Sequence, residues 1–161
     1  MSKATDVTHA SGAPEPVGNY PHARRVGNLL FLSGIGPRVR GSKAIPGVKL
    51  SSTGEIVKRD IEAQCHSVFR NVRQVLEEAG SSWDRLVDVT VFLTHMAEDF
   101  ATYNRVYAEY FRNDPPCRTT VEIKSLPTPI SIELKCIATL PDDSDNVGGE
   151  GSDRESGRAA R

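Results

Sequence analysis

Residues 60–80 most strongly constrain the fold, because apolar side chains recur there at steps of three and four positions. Asp60 opens this segment, and Gly80 stands where a glycine commonly ends a helix. The pattern predicts a helix with one apolar face, which must pack against another element. The apolar face consists of Ile61, Cys65, Val68, Val72, Val75 and Ala79.

Several other segments have the pattern of β-strands. Residues 29–33 are a short apolar run that ends at Gly34, and residues 24–26 precede it across a Gly-Asn turn, which predicts a hairpin. Residues 86–94 alternate in polarity and are rich in β-branched side chains. Residues 118–124 and 131–140 are predicted to be the last two strands, joined by a turn that contains two prolines.

A second helix is predicted over residues 98–112, with Asp-Pro-Pro ending it at residues 114–116. Residues 36–54 hold four glycines and two prolines and are expected to form a long loop, of the kind that is usually functional or mobile. The order of elements indicates an α+β fold, a mixed β-sheet with two helices on one face. We expect a homo-oligomer, because two helices leave the other face of the sheet uncovered.

Charge and composition divide the chain. Residues 142–161 contain six acids and three arginines but one large apolar residue, so we expect a disordered acidic tail. Residues 1–19 have little pattern and are expected to be a flexible segment before a domain at 20–141. That domain has 16 basic and 13 acidic side chains, most of the excess lying early in it.

Several classes of protein are excluded on composition. No apolar run reaches the 18 or more residues of a membrane span, and no signal-peptide core is present. The three cysteines, Cys65, Cys117 and Cys136, have no spacing typical of a zinc site or a disulfide framework. This cysteine usage fits a reducing cytoplasm, so a cytoplasmic protein is expected. The glycine loops that bind phosphates or dinucleotides are absent, and no metal site is predicted.

Arg118 and Glu133 are candidate site residues on the last two strands. An arginine at the start of a strand can present its planar fork to a carboxylate, although a surface arginine at a sheet end fits the same pattern. Glu133 can orient a water molecule as a general acid or base, or it can simply be solvated. His22 lies in a polar, basic strand entry that can line a site.

Six motifs follow one another along residues 18–141: Gly18-Asn19-Tyr20, residues 26–34 (VGNLLFLSG), residues 88–93 (DVTVFL), residues 100–104 (FATYN), residues 116–122 (PCRTTVE) and residues 132–138 (IELKCIA). Together, and in this order, they resemble the YjgF/Rid family of imine deaminases. The stretch of residues 20–27 and the long loop before Gly54 are most similar to 2-aminomuconate deaminases within that family.

The resemblance implies a chorismate-mutase-like fold and a homotrimer with active sites between subunits, needing no cofactor. By position, Arg118 matches the arginine that grips the α-carboxylate of the substrate, and Glu133 the carboxylate that holds the attacking water. Gly34 matches a residue whose backbone contributes to the cleft, while Tyr20 and Asn104 match pocket-lining positions. Thr120, also counted with the substrate-binding residues, stands where many members have a cysteine, so no thiol is required for the chemistry.

The resemblance favours conversion of 2-aminomuconate to 4-oxalocrotonate and ammonia, as in the catabolism of aromatic compounds such as 2-aminophenol and tryptophan. This dicarboxylate needs a second cation, which we expect from His22, Arg24, Arg38 or Arg40, in the basic region of the chain. A general deaminase of 2-iminopropanoate and 2-iminobutanoate is the alternative. Relatives have also been described as ribonucleases, translation inhibitors and chaperones, but an excess of only three positive charges disfavours nucleic-acid binding. The sequence leaves open whether trimers pair into hexamers.

Overall fold

The computed structural model describes residues 6–142, which form a six-stranded mixed sheet, a separate two-stranded sheet and two helices. The strands are β1 (Val7–Thr8), β2 (Ala23–Val26), β3 (Leu29–Leu32), β4 (Val48–Leu50), β5 (Ile56–Arg59), β6 (Leu86–Leu93), β7 (Cys117–Glu122) and β8 (Ile132–Thr139). The helices are α1 (Ile61–Glu78) and α2 (Met96–Tyr110), and a 3-10 turn, Trp83–Arg85, precedes β6. The α+β class predicted from the sequence is confirmed.

The order of strands in the large sheet is β1-β2-β3-β8-β6-β7. Only β6 and β7 run parallel, because α2 lies between them in the chain and returns it to the same edge. The central strands β6 and β8 pair antiparallel along nearly their whole length. The most protected part of the sheet is therefore the pair of strands that the sequence marks by alternation.

Both helices pack on one face of this sheet, the helix face. Alternate residues of β6 and β8 are fully buried there: Val89, Val91, Leu93, Ile132, Leu134, Cys136 and Ala138. The apolar face of α1 packs against these strand residues, and its Cys65, Val68 and Val72 are also fully buried. Burial raises the pKa of the Cys65 and Cys136 thiols to about 12, as expected of cysteines that act as core residues.

The opposite side of the sheet, here called the open face, carries the strand residues that lie between those buried against the helices. Phe31, Phe92 and Ile137 lie there and are only partly buried, and Val26 and Val121 are exposed. A single chain thus leaves one apolar face of its sheet without cover from its own helices.

From residue 6 onward, the segment before residue 20 packs against the rest of the domain, where the sequence predicts a flexible segment. Val7–Thr8 pairs with β2, and Ala10 and Ala13 are buried. The segment has little sequence pattern because distant side chains hold its backbone: the Glu78 carboxylate accepts hydrogen bonds from the N–H groups of Ser11 and Gly12. The expected acidic tail lies outside the described residues.

The predicted loop at residues 36–54 contains part of a second hairpin, in which β4 pairs antiparallel with β5. Its strands are short and mostly exposed, so no apolar alternation marks them in the sequence. Arg59, at the end of β5, forms ion pairs with Asp99 and Glu98 on α2 and so ties the hairpin to the body of the protein.

No helix of the described residues is long and apolar enough to cross a membrane.

We predict that Glu78→Gln destabilises the protein at neutral pH. Hydrogen bonds, the strongest from the Ser11 backbone, lower the pKa of Glu78 to about 2. The ionised carboxylate therefore contributes its full stabilisation of the folded state above the ordinary carboxyl pKa, and this stabilisation is lost as the pH falls toward 2. Allowing for screening at an exposed site, we expect a loss of about 1 kcal/mol at pH 7. Thermal unfolding should show a melting temperature about 2–4 °C lower at pH 7.

The difference between wild type and Glu78→Gln should vanish near pH 2. Glu77→Gln is the matched control, because Glu77 is the exposed neighbour of Glu78 on the same helix. Equal effects of the two substitutions, or a difference that persists at low pH, would show that Glu78 does not hold the N-terminal segment.

Candidate active site

A cleft of about 320 Å³ opens beside Glu133 on the open face of the sheet. Its lining comes from four places: the loop after β3, the segment before β2, the turn between β7 and β8, and β8 itself. Glu133 and Lys135 project into it from β8. The lining residues are Val17, Tyr20, Ser33, Gly34, Gly36, Arg38, Pro127, Thr128, Ile130, Glu133 and Lys135.

Glu133 is half-buried, and its carboxylate lies directly against Gly34. A methyl group at Gly34 would overlap Oε1 of Glu133 and lie 2.8 Å from its Cδ, so only glycine leaves room for the carboxylate in this position. Burial raises the pKa of Glu133 above its ordinary value, while the positive charge of Arg38 opposes this rise. A carboxyl group with a raised pKa is suited to exchange protons with a substrate near neutral pH.

Tyr20 forms one wall of the cleft, as its predicted role requires. Its hydroxyl oxygen accepts a hydrogen bond of 3.3 Å from the N–H of Val17, and its ring remains partly exposed. Tyr20 is therefore positioned by the ordered N-terminal segment, which the sequence pattern did not place in the fold.

Two cations border the cleft. Arg38 was expected from the sequence, and one of its guanidinium nitrogens donates to the carbonyl oxygen of Glu15 at 2.6 Å. Lys135 was not expected, although its position two residues after Glu133 on an alternating strand places it on the same face. Glu133 is the one carboxylate among the described residues that line the cleft.

None of the other three basic residues proposed for the second carboxylate lines this cleft. His22 borders a small cavity of about 30 Å³ that shares Gly34 and Arg38 with the cleft. His22 is 4% exposed, with Nδ1 accepting from the N–H of Ala10 and Nε2 bonded to the carbonyl of Pro14. Arg40 donates to the carbonyl of Ala13 and pairs with Glu15. His22 and Arg40 thus organise the N-terminal segment, which is a correction to their predicted role.

Arg24 is exposed on β2, opposite Phe31, and borders none of the cleft. Alternation alone could not distinguish it from a cleft residue, because it does lie on the open face. Arg24 is excluded from the cleft because β2 is separated from β8 by β3, and only the strand order of the folded sheet shows this separation.

Arg118 occupies a second polar site, on the helix face of β7. Its guanidinium carbon lies 4.6 Å from the ring centroid of Tyr107 and 5.4 Å from that of Tyr103, and its Nη1 donates to Oδ1 of Asn104 at 2.9 Å. The aromatic faces and the amide fix the direction of the cation. The family resemblance predicts Asn104 as a pocket-lining residue but does not predict the two tyrosines, which in the sequence resemble ordinary core residues.

Three buried hydroxyl groups surround this arginine: those of Tyr103, Tyr107 and Thr120. None has a hydrogen-bond partner of good geometry among the described residues. Burial raises the pKa of Tyr103 and Tyr107, the latter to about 12, although the charge of Arg118 opposes both shifts. Both hydroxyls therefore stay protonated, as polar groups beside the arginine.

Arg118 and Glu133 lie on opposite faces of the sheet of one chain. Arg118 pairs in register with Val89, and Val89 pairs with Cys136, which is buried on the helix face. Glu133 is an odd number of residues from Cys136 and so points to the open face. The structure brings Tyr20, Gly34, Arg38 and Glu133 together, and separately Asn104, Arg118 and Thr120.

The remaining cysteine, Cys117, is exposed at the start of β7 and lies on the face opposite to Arg118, since neighbouring strand residues alternate. Among residues 6–142 there is no group of three or more histidine, cysteine or acidic side chains that could hold a metal ion.

We predict that Gly34→Ala abolishes most activity while the protein stays folded. The three atoms nearest to the added methyl group all belong to the flexible Glu133 side chain, which can rotate away, so the backbone need not move. Displacing the carboxylate should lower kcat about 100-fold, the effect of misplacing a reacting group by about 1 Å. The melting temperature and the rate of ammonia release are the measurements.

The control for this prediction is the same substitution in a Glu133→Ala background. Once the carboxylate is absent, Gly34→Ala should cost no further activity. Additive losses in the double variant would show that Gly34 acts independently of Glu133.

Known proteins share sequence with this chain over most of its length. A family model described as Endoribonuclease L-PSP matches residues 10–140. A RutC family protein of Pyrococcus abyssi is 41% identical over 138 residues, which are 84% of this chain and 97% of that protein. A protein of Arabidopsis thaliana named Reactive Intermediate Deaminase A, chloroplastic, is 35% identical over 135 residues, 84% of this chain and 66% of that protein.

Solved structures give the same result for the fold. The yeast protein YEO7 superposes with a TM-score of 0.73 at 35% identity, covering 85% of this chain and 98% of that one. The YjgF gene product of E. coli superposes with a TM-score of 0.69 at 29% identity, covering 85% of this chain and 98% of that one. Sequence and fold agree, and the chain belongs to the YjgF/Rid family.

Proposed function

We propose that this protein is a hydrolytic deaminase of small 2-imino or 2-enamine acids. The observation that carries the proposal is the half-buried Glu133 carboxylate, held against Gly34 in an open cleft with a raised pKa. Hydration of an imine needs one group that first accepts a proton from water and later gives a proton to the departing amine. A carboxyl group with its pKa nearer to neutral can do both.

The reaction balances with water as the only co-reactant. An enamine acid first tautomerises to its imine; Glu133 then removes a proton from water as the oxygen bonds to C2, and the C=N electron pair moves to nitrogen, which is protonated. As the C–N bond of the resulting carbinolamine breaks, Glu133 returns its proton to the amine, which leaves as ammonia. The hydroxyl proton passes to solvent and offsets the proton that the imine nitrogen took up, and the product is the corresponding 2-oxo acid.

Arg118 is proposed to bind the carboxylate next to C2. The planar guanidinium is already oriented by Tyr103, Tyr107 and Asn104, so little conformational freedom is lost when an anion binds. A substrate fixed in this way presents C2 to water in one orientation, which turns a bimolecular attack into a positioned one.

One chain cannot supply both groups to one substrate, because Arg118 and Glu133 lie on opposite faces of its sheet. We therefore propose a homotrimer in which Arg118 of one subunit faces Glu133 of the next. The partly exposed apolar residues of the open face, such as Phe31 and Ile137, support this assembly, since a second copy would bury them.

Within this class, 2-aminomuconate is the proposed substrate, and 4-oxalocrotonate and ammonia are the products. The two cations that border the cleft, Arg38 and Lys135, favour a dicarboxylate over a small monocarboxylate. A general deaminase of 2-iminopropanoate and 2-iminobutanoate remains the alternative, since such substrates require only Arg118 and Glu133.

We expect the wild-type protein to release ammonia from 2-aminomuconate. The measurement is the loss of substrate absorbance together with the ammonia released. Arg118→Met should lower kcat/KM about 100-fold or more, because a charged, oriented hydrogen bond to the substrate is lost. 2-Iminopropanoate, generated during the assay, is the comparison substrate. Turnover of that imine alone would support the general deaminase, and turnover of neither would contradict the proposed function.

Arg25→Met is the matched control for Arg118→Met. It removes the same charge from an exposed arginine whose side chain donates a hydrogen bond to the carbonyl of Gly27, at the hairpin turn after β2. Steeply salt-dependent binding of RNA by the wild type, without deamination, would support the ribonuclease class that the family description names.

Mixing two inactive variants should restore activity if the sites lie between subunits. We expect Arg118→Met and Glu133→Gln each to be nearly inactive, and co-expression in equal amounts to recover about a quarter of wild-type activity, since each site needs one intact residue from each of two neighbouring chains. Ammonia release by the purified mixture is the measurement.

A mixture made from separately assembled trimers, without subunit exchange, is the control and should stay inactive. If co-expression restores nothing although mixed oligomers are shown by differential tagging, the two residues do not meet across an interface.

A further inference from the structure

We propose that Arg38 and Lys135 form an anion subsite that binds a second carboxylate of the substrate, and so selects dicarboxylates. This inference rests on the proposed function for the identity of the reaction, but the charge arrangement stands on the structure alone. Both side chains border the cleft that holds Glu133.

Lys135 reaches the cleft because of its position on β8. It lies two residues beyond Glu133, so the two side chains share the open face with their backbones about 6.6 Å apart. Lys135 is exposed and forms no ion pair with any residue between 6 and 142. Its ammonium group is therefore available to an incoming anion.

Arg38 reaches the cleft from the loop after β3. One nitrogen of its guanidinium donates to the Glu15 carbonyl, which is a neutral acceptor, and no carboxylate of the described residues pairs with it. The backbone of Arg38 is held beside α1, because the Nδ2 group of Asn71, on that helix, donates to the Arg38 carbonyl at 2.7 Å. The loop is thus anchored, and most of the guanidinium fork is left for a ligand.

The charge of the cleft follows from these contacts. Two cations face one carboxylate, Glu133, so the described lining has an excess positive charge even when Glu133 is ionised. The carboxylate next to C2 is assigned to Arg118, on the other face of a neighbouring sheet. The cations beside Glu133 are therefore placed for an anionic group at the far end of the substrate.

The first test measures binding without turnover. Muconate and sorbate share a six-carbon diene and differ by one carboxylate, so calorimetric titration with each isolates the effect of the second charge. We expect wild type to bind muconate about 10- to 100-fold more tightly than sorbate, and Lys135→Met and Arg38→Met each to remove most of this preference. An undiminished preference in both variants would overturn the subsite.

The second test measures turnover. Lys135→Met should lower kcat/KM for 2-aminomuconate at least ten times more than for 2-iminopropanoate, chiefly through KM, and Lys135→Arg should restore most of the loss. Arg38→Met should in addition move the acid limb of the pH profile to higher pH, because the charge of Arg38 holds the pKa of Glu133 down. Equal losses for both substrates would contradict the subsite while leaving the deaminase function intact.

Control variants distinguish loss of the anion subsite from loss of folding and from failure of the proposed reaction. Lys58→Met removes a charge from β5, outside the cleft, and should change neither preference nor turnover. Melting temperature and oligomeric mass are compared for every variant. If wild type prefers muconate in a Lys135-dependent way but deaminates nothing, the subsite is supported and the proposed reaction is wrong.

Discussion

The alternation of β8 is the constraint on which the rest of the structure depends. Every second residue of this central strand, from Ile132 to Ala138, is fully buried against the helices. Because the side-chain period is two, the residues between them must face the other way, and Glu133 and Lys135 are among them. A shift of one residue would expose four apolar side chains and bury a carboxylate and an ammonium group, so the register is strongly fixed.

The same constraint explains why the site is divided. The arginine fork on β7 lies on the helix face, where aromatic rings of α2 hold it, whereas the carboxylate of β8 lies on the open face. Each group has a local environment suited to its proposed role: stacking fixes the direction of Arg118, and partial burial raises the pKa of Glu133. A sheet with helices on only one side can combine the two groups only by association of copies.

Much of the cleft is built by residues outside the main elements. The N-terminal segment carries Val17 and Tyr20, and its backbone is held by His22, Arg40 and Glu78. These are contacts between residues far apart in the chain, and they leave no periodicity behind. The sequence therefore predicts a flexible segment here, and it predicts that the basic residues which anchor the segment bind substrate instead.

The sequence by itself determined both helices to within two residues, the two sequence-adjacent hairpin strands and the alternating strands, because burial of one face imposes a period on the chain. The motifs also identified Arg118, Asn104, Glu133, Gly34 and Tyr20 as candidates. The tertiary structure alone decided which candidates meet: it placed Arg38 and Lys135 beside Glu133, moved His22 and Arg40 into supporting roles and set Arg118 on the opposite face. The physical reason is that periodicity reports which face a residue occupies, whereas proximity depends on strand order, loop paths and the partners that satisfy each polar group.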